Sequence, residues 1–442
     1  MKKRFAITTL GCKVNQCESS ALGRLLVNSG YRPGSVDDRT DLIVINTCTV
    51  TGKAAMQSRQ AIRQAVRNHP NSKVVVTGCY AQTAPDEIKA IDGIAYIVGH
   101  ADKMEIASVI EKMAPVNDGP AIVHKNMQQV RCFDPMPSVA PESRTRAFLK
   151  IQDGCNAFCT YCIVPHARGR SRSMPVADAL NHLDDLAQTH FKEVVLTGIH
   201  LGEYGKDLSP KSSLYHLLCS IKQRNAVGRV RLSSIEPTEV EPDLVALTAD
   251  PGNPLCPHFH IPLQSGDDSI LKRMGRSYTR NQFAETIHNI RHAMPHGAIG
   301  LDVLVGFPGE NDHAFDQTFS LIEALDITYL HVFPFSPRKG TPAAGFKDKV
   351  PDRVVKERCR YLRQLGREKK AHFYRSNIDH EVKVLIENFD KKANLSKGMS
   401  ENYIPVVLPD TQVKENSIVT VRIQKVESDL TVIGTIALNA RI

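Results

Sequence analysis

The sequence predicts an α/β protein in three parts: an N-terminal parallel-sheet α/β domain, a central β/α barrel (full or partial) and a small C-terminal all-β barrel. Three observations carry this. Continuous β-branched runs alternate with helical stretches up to about residue 118. Six further strand–helix units repeat from about 144 to 345. After 376 the helical period gives way to short successive strands. The expected division is 1–118, a linker at 119–143, 144–375 and 376–442, in a chain of 442 residues.

In the first part, 5–10, 41–46, 73–77 and 95–98 read as strands, with helices near 15–29 and 53–68. Runs such as Leu42-Ile43-Val44-Ile45 and Val74-Val75-Val76 are apolar at every position, as strands buried on both faces of a parallel sheet require. Three cysteines take equivalent places in these repeats. Cys12 follows the first strand in Leu-Gly-Cys, Cys48 the second in Asn-Thr-Cys, and Cys79 the third in Thr-Gly-Cys. The carboxyl ends of parallel strands form the ligand crevice of an open sheet, so these thiols should meet at one edge. The alternative is three separate cysteines packed as small hydrophobes.

Residues 119–143, with Pro120, Pro135, Pro137 and Pro141 just beyond Pro115, read as a linker. In the central part the expected strands are 147–152, 193–197, 229–233, 258–262, 300–305 and 329–333. Amphipathic stretches near 177–189, 213–224, 239–249, 280–293 and 312–325 alternate with them. A parallel barrel puts its site at the C-terminal strand ends. The first strand delivers Cys155, Cys159 and Cys162 there, in a C-x-x-x-C-x-x-C loop. Soft thiolates at such spacing wrap one metal centre. Three cysteines leave one iron of a cubane cluster open for a substrate, whereas a zinc knuckle would take His166 as a fourth ligand. The other strand ends carry Thr197-Gly198, Ser234 and Glu236, and Gln264-Ser265-Gly266, small and polar groups that let a ligand approach backbone closely.

The stretch 352–375 reads as one helix with nine cations against three acids, a candidate phosphate-tracking surface. Beyond it, 382–386, 403–408, 418–426 and 431–438 read as strands of a small closed barrel of the kind that binds oligonucleotides.

Composition narrows the function. Net charge is +9, which favours a polyanionic partner, and Trp is absent, so any base stacking falls to Tyr, Phe, His or Arg. Eleven cysteines, an odd number, suit metal or redox work better than complete disulfide pairing. No apolar run reaches the ~20 residues of a membrane span. The apolar stretch after Lys2-Lys3-Arg4 ends at Cys12-Lys13, too soon for a signal peptide, so a cytoplasmic location is expected.

The C-x-x-x-C-x-x-C loop resembles that of the radical S-adenosylmethionine (SAM) enzymes. With Leu-Gly-Cys-Lys-Val-Asn-Gln at 10–16, Asn-Thr-Cys at 46–48, Thr-Gly-Cys at 77–79, Gly-Cys-Asn…Cys-Thr-Tyr-Cys at 154–162 and Gln-Ser-Gly at 264–266, nearly the whole chain resembles the methylthiotransferase family of radical SAM enzymes. The C-terminal part resembles that family's TRAM domain. The resemblance implies two [4Fe-4S] clusters, one on Cys155, Cys159 and Cys162 with SAM, the other on Cys12, Cys48 and Cys79. Thr197, Gly198, Ser234, Glu236 and Gln264 then become candidate SAM contacts. It implies insertion of a methylthio group into tRNA in the anticodon stem-loop, with an electron donor protein such as flavodoxin or ferredoxin, a sulfur source, and no membrane. The Cys-Lys-Val-Asn-Gln start resembles the branch acting on N6-threonylcarbamoyladenosine. The branch acting on isopentenyladenosine usually starts Cys-Gln-Met-Asn, and a third branch modifies a ribosomal-protein aspartate. Cys17 departs from the family pattern and is expected not to be a ligand. The alternative outside the enzyme class is a zinc-dependent RNA-binding protein.

Overall fold

The computed structural model describes residues 3–35, 40–113, 119–134, 136–137, 145–189, 191–409 and 411–437. Pro115, Pro135, Pro141 and position 438 of the last expected strand lie outside them.

The N-terminal strands Arg4–Thr9, Leu42–Thr47, Lys73–Gly78 and Tyr96–Val98 form a parallel sheet. All six residues of Leu42–Thr47 are buried, because helices cover both faces. On one face Val44, Val75 and Tyr96 pack against Leu22 and Leu26 of helix Lys13–Asn28. On the other, Ile43, Ile45 and Val76 pack against Ala55 and Ile62 of helix Gly52–Asn68. That helix starts where Thr51 accepts a hydrogen bond from the Ala54 N–H at 3.1 Å, satisfying one of its free donors.

One sequence expectation is corrected here. Residues 119–143 are not simply a linker: Ala121–Val123 pairs in parallel with Tyr96–Val98 as an edge strand of the sheet. Three apolar residues behind Gly119-Pro120 give too short a run to show a period; the pairing is decided by the open edge of Tyr96–Val98. Met127, just after it, is buried.

In the central part the six strands lie within two residues of their expected places: Arg146–Lys150, Glu193–Thr197, Arg229–Leu232, His258–Gln264, Ala298–Val305 and Tyr329–Pro334. They form two parallel three-stranded sheets. The sheets meet at a Val230–Leu255 bridge and at Cys256 N–H donating to Val230 O (2.8 Å). Ala147, Leu149, Val194, Leu196, Val230, Phe259, Ile261, Leu301 and Val303 face the covering helices in one core. Side chains alternate across a strand, so the intervening positions line the inner hollow: Arg146, Glu193, Arg231, His258, His260, Asp302, Tyr329 and His331.

Among the described residues no ladder joins the first strand, Arg146–Lys150, to the last, Tyr329–Pro334, so the barrel is open on one side. The N-terminal domain closes that opening and touches both rims. Cys17 Sγ donates to Phe148 O (3.4 Å) on one rim. Arg338 donates to Thr49 Oγ1 (2.6 Å) and Gly52 N–H to Ser336 Oγ (2.8 Å) on the other.

Strands Glu381–Asp390, Leu395–Ser400, Pro405–Pro409, Ile418–Val426 and Val432–Ile436 make a closed five-stranded barrel. It seats against the N-terminal strand ends of the central part, where Arg231 donates to Glu401 O (3.0 Å) and Ser400 O (3.1 Å). Among the described residues no helix is long and apolar enough to cross a membrane.

Candidate active site

The loop bearing Cys155, Cys159 and Cys162 is shaped by a hairpin missed in the sequence, Gln152–Asp153 against Arg172–Ser173. Gly154 has φ +76°, and a Cβ there would overlap Arg170 O, so only glycine serves. Cys155 N–H donates to Gly169 O (3.0 Å), and Cys162 N–H closes a turn onto Cys159 O (2.9 Å). Burial pushes the Cys162 thiol up to about 12, and the neighbouring Cys159 and Cys155 add to the shift.

The second trio also converges. Gly11 and Gly78, each just before a cysteine, have φ +98° and +97°. A Cβ on Gly11 would stand 2.7 Å from Cys48 Cβ and 2.8 Å from Cys48 Sγ, so the first strand end can approach the second only through glycine. Burial pushes the Cys48 thiol up to about 11, with Cys79 and Cys12 near enough to raise it further. Cys79 is raised by burial too, while Arg168 opposes the shift. All eleven cysteines are free.

The donor sets fit clusters. Sets of three His, Cys, Asp or Glu ligand atoms within 4.8 Å of one another occur at Glu18–His100–Asp153, His200–Glu203–Glu239 and His260–Asp302–His331; among the described residues neither cysteine trio is that tight. A single tetrahedral ion with metal–sulfur bonds of about 2.3 Å would bring its thiolates to within about 4 Å. A polynuclear cluster accepts thiolates held further apart.

Between the trios lies a buried charge network that sequence reasoning missed. Arg168, 1% exposed, holds Glu18 through Nη1 (2.9 Å) and Nη2 (3.2 Å), Asp153 at 2.8 Å and Asn15 Oδ1 at 2.6 Å. Lys150 reaches Glu18 (3.2 Å) and Asp153 (3.1 Å), Lys103 also pairs with Glu18, and Arg172 is 3.7 Å from Asp153. Asn15 and Glu18 follow Cys12, Asp153 precedes Cys155 and Arg168 follows Cys162, so the network ties both loops into one unit. Although burial opposes ionisation, Arg168, Lys103 and Lys150 hold the Glu18 carboxyl well below the usual range; Lys150 and Arg168 do the same for Asp153. Burial lowers His100 to about 4, so it is neutral. Lys150, Lys103, Arg168 and Arg172 thus gather around Glu18 and Asp153, with Asp134 close by, and Arg168 partly offsets the upward push of burial on the Cys79 thiol.

The remaining expected residues lie along the C-terminal strand ends. Thr197 is buried, and a Cβ on Gly198 would meet Gln152 Oε1 at 2.9 Å. Ser234 is exposed, and Gln264 adopts φ +63°. Glu236 pairs with Arg276, which donates to Cys159 Sγ at 3.4 Å. His200 Nδ1 lies 3.3 Å from Cys155 Sγ and its Nε2 2.8 Å from Glu239. Burial disfavours its charged form, yet Cys155 and Glu239 outweigh that and raise it to about 10. Arg276 and His200 carry no motif in the sequence; only the fold brings them to the thiols. Cys17 is half-buried, with its thiol raised to about 11 by desolvation and donating to Phe148 O.

Residues 4–99 match the family described as Uncharacterized protein family UPF0004, and residues 149–322 the Radical SAM superfamily. A Bacillus subtilis (strain 168) protein named Threonylcarbamoyladenosine tRNA methylthiotransferase MtaB is 39% identical over 429 residues, 95% of this chain and 93% of its own. The chain belongs to the radical SAM methylthiotransferase family. This methylthiotransferase is also 38% identical to an Aquifex aeolicus (strain VF5) protein of the same name, over 91% of the chain and 96% of that protein. It is 36% identical to a tRNA-2-methylthio-N(6)-dimethylallyladenosine synthase of Syntrophobacter fumaroxidans, over 88% and 86%. Among solved structures, the radical S-adenosylmethionine methyltransferase TsrM from Kitasatospora setae superposes with a TM-score of 0.59 at 16% identity, covering 78% of this methylthiotransferase and 77% of TsrM. That likeness speaks for the shared fold.

Proposed function

We propose that this methylthiotransferase inserts a methylthio group at C2 of N6-threonylcarbamoyladenosine beside the anticodon of tRNA. The observation that carries the reading is the joining of two three-cysteine sites by one buried network, with the second site set across the open side of the barrel. The names of the two most similar relatives cited above support the choice of base.

In this reading Cys155, Cys159 and Cys162 hold one [4Fe-4S] cluster, at which SAM binds, and Cys12, Cys48 and Cys79 hold a second. When bound, these groups supply the electron, the hydrogen abstraction and the sulfur that an aromatic C–H bond requires, since it has no acidic proton and no leaving group. The chain supplies position. Arg276 and His200 donate to cluster thiolates, and Arg168 with its partners fixes the two loops relative to each other. Thr197, Gly198, Ser234, Glu236 and Gln264 contact SAM, with Glu236 steadied by Arg276. The target base is turned out of its loop to enter the hollow between the sites. A protein electron donor and a sulfur source complete the reaction.

Mass spectrometry of tRNA nucleosides from cells with and without the gene tests the proposal. Loss of the methylthio form of threonylcarbamoyladenosine is expected, with its unmethylthiolated precursor accumulating. An unchanged profile would overturn it.

A further inference from the structure

The hollow of the central part holds a further set of metal-ligating side chains, outside both cysteine trios. His260, Asp302 and His331 stand on the adjacent strands His258–Gln264, Ala298–Val305 and Tyr329–Pro334, and one ligand atom from each lies within 4.8 Å of the other two. His260 Nε2 is 2.9 Å and His331 Nδ1 3.2 Å from the same oxygen, Asp302 Oδ1. The other sets of this kind are already satisfied. Arg168, Lys150 and Lys103 hold the carboxylates of Glu18 and Asp153. In the remaining set Lys206 lies 3.0 Å from Glu203, and His200 turns to Cys155. Asp302 is different: among the described residues no lysine or arginine pairs with it. Although burial opposes ionisation, hydrogen bonds from the two imidazoles hold its carboxyl well below the ordinary range.

We propose that His260, Asp302 and His331 bind a divalent first-row transition ion in the hollow, separate from the iron–sulfur sites. Two imidazoles and a carboxylate are the donor set of facial sites for such ions. Bonds of about 2.1 Å at right angles put neighbouring ligand atoms about 3.0 Å apart. The separations from Asp302 Oδ1, 2.9 and 3.2 Å, match that spacing. The support behind the ligands is also in place. His260 Nδ1 is 3.0 Å from Tyr329 Oη, which is 2.9 Å from His258 Nε2. With an ion on Nε2, His260 Nδ1–H donates to Tyr329 Oη and that hydroxyl donates to His258 Nε2, so the ring is fixed in the tautomer the ion needs. An entry path exists as well. His331 is exposed and lines a cavity of about 390 Å³ between its own strand, helix Asp352–Ser376 and the terminal barrel. Three protein ligands leave the remaining positions open to water or to an oxygen of bound RNA.

Binding of Mn²⁺ to the cluster-reconstituted protein tests this without turnover, with the EPR signal of free Mn²⁺ reading the fraction bound. The wild-type protein should take up about one Mn²⁺ per chain, with nitrogen coupling from histidine in the pulsed EPR spectrum. Zn²⁺ should displace it, since zinc ranks above manganese at nitrogen and oxygen donors. Asp302→Asn and His331→Ala should each weaken binding by about tenfold or more, and Tyr329→Phe, which removes only the hydroxyl behind His260, by about tenfold. Iron content should be unchanged in all of these variants. Should Asp302→Asn lose iron, His331→Ala, on the exposed ring, decides in its place. No Mn²⁺ bound at about 1 mM, bound Mn²⁺ without nitrogen coupling, or binding equal to wild type in either ligand variant with full iron would overturn the site.

Discussion

Gly11 and Glu18 locate the strictest demands at the scale of single residues. Gly11 stands in the left-handed region with Cys48 where a side chain would be, whereas Gly30, at φ +88°, has nothing within 4 Å of such a side chain. Both substitutions to Ala carry a positive-φ backbone cost of about 1–3 kcal/mol. Only Gly11→Ala must also displace Cys48, so it should cut bound iron by about half in a two-cubane protein, while Gly30→Ala leaves iron per chain unchanged. Glu18 has a different role. Removing its charge by Glu18→Gln leaves Arg168, Lys103 and Lys150 short of a buried counter-charge, a loss on the scale of about 3–5 kcal/mol. Its carboxyl is held below the ordinary value, so its contribution is complete above the unfolded carboxylate pKa of about 4.3 and fades as pH falls toward the folded value. The thermal midpoint of Glu18→Gln should be lowered near neutral pH, and the gap to wild type should narrow as pH drops below about 4. An equal gap at all pH values would contradict the charge argument.

At the scale of elements, the long helix Asp352–Ser376 shows where sequence reading reaches and where it stops. Its position and its cationic excess follow from local periodicity and composition. That Arg358 is not on the solvent face does not: it is buried against Glu310 (2.7 Å) and Asp312 (2.6 Å). Lys369 likewise turns inward, to Glu323 O and Leu325 O. The exposed set includes Arg353, Lys356, Arg360, Arg363 and Arg367. If this face tracks phosphates, Arg363→Ala combined with Arg367→Ala should flatten the dependence of log affinity on log salt by about 1.4–1.8 for an anticodon stem-loop. Arg358→Ala should instead lower the melting temperature with little change in that slope. Most strands and the glycine–cysteine steps were legible for the same reason as the helix, since each is set within a few residues; the strand Leu395–Ser400 of the terminal barrel, with Gly398 and polar residues in its run, was not. The edge strand Ala121–Val123, the turn of His200 and Arg276 toward the thiols, and the burial of Arg168 were not. A basic run from Arg168 to Arg172 looks identical on paper whether water or Glu18 surrounds it.

For the whole molecule, the division of labour follows from an incomplete barrel. The central sheet leaves a gap between its first and last strands, and the N-terminal domain fills it while presenting Cys12, Cys48 and Cys79 from its own strand ends. The terminal five-stranded barrel closes the opposite end through Arg231 and Ser400. The equivalent placement of three cysteines in three successive strand–helix units was enough to foresee their meeting. Their place across the barrel's open side came only with the fold, because it depends on contacts more than a hundred residues apart. The central claim is that two separate three-thiol sites each hold a cluster. Iron per chain after anaerobic reconstitution measures it directly. The wild-type protein should hold about eight irons, and the triple alanine variants of Cys155, Cys159 and Cys162 or of Cys12, Cys48 and Cys79 about four each; a variant trio that removes all the iron, or none of it, would contradict the account.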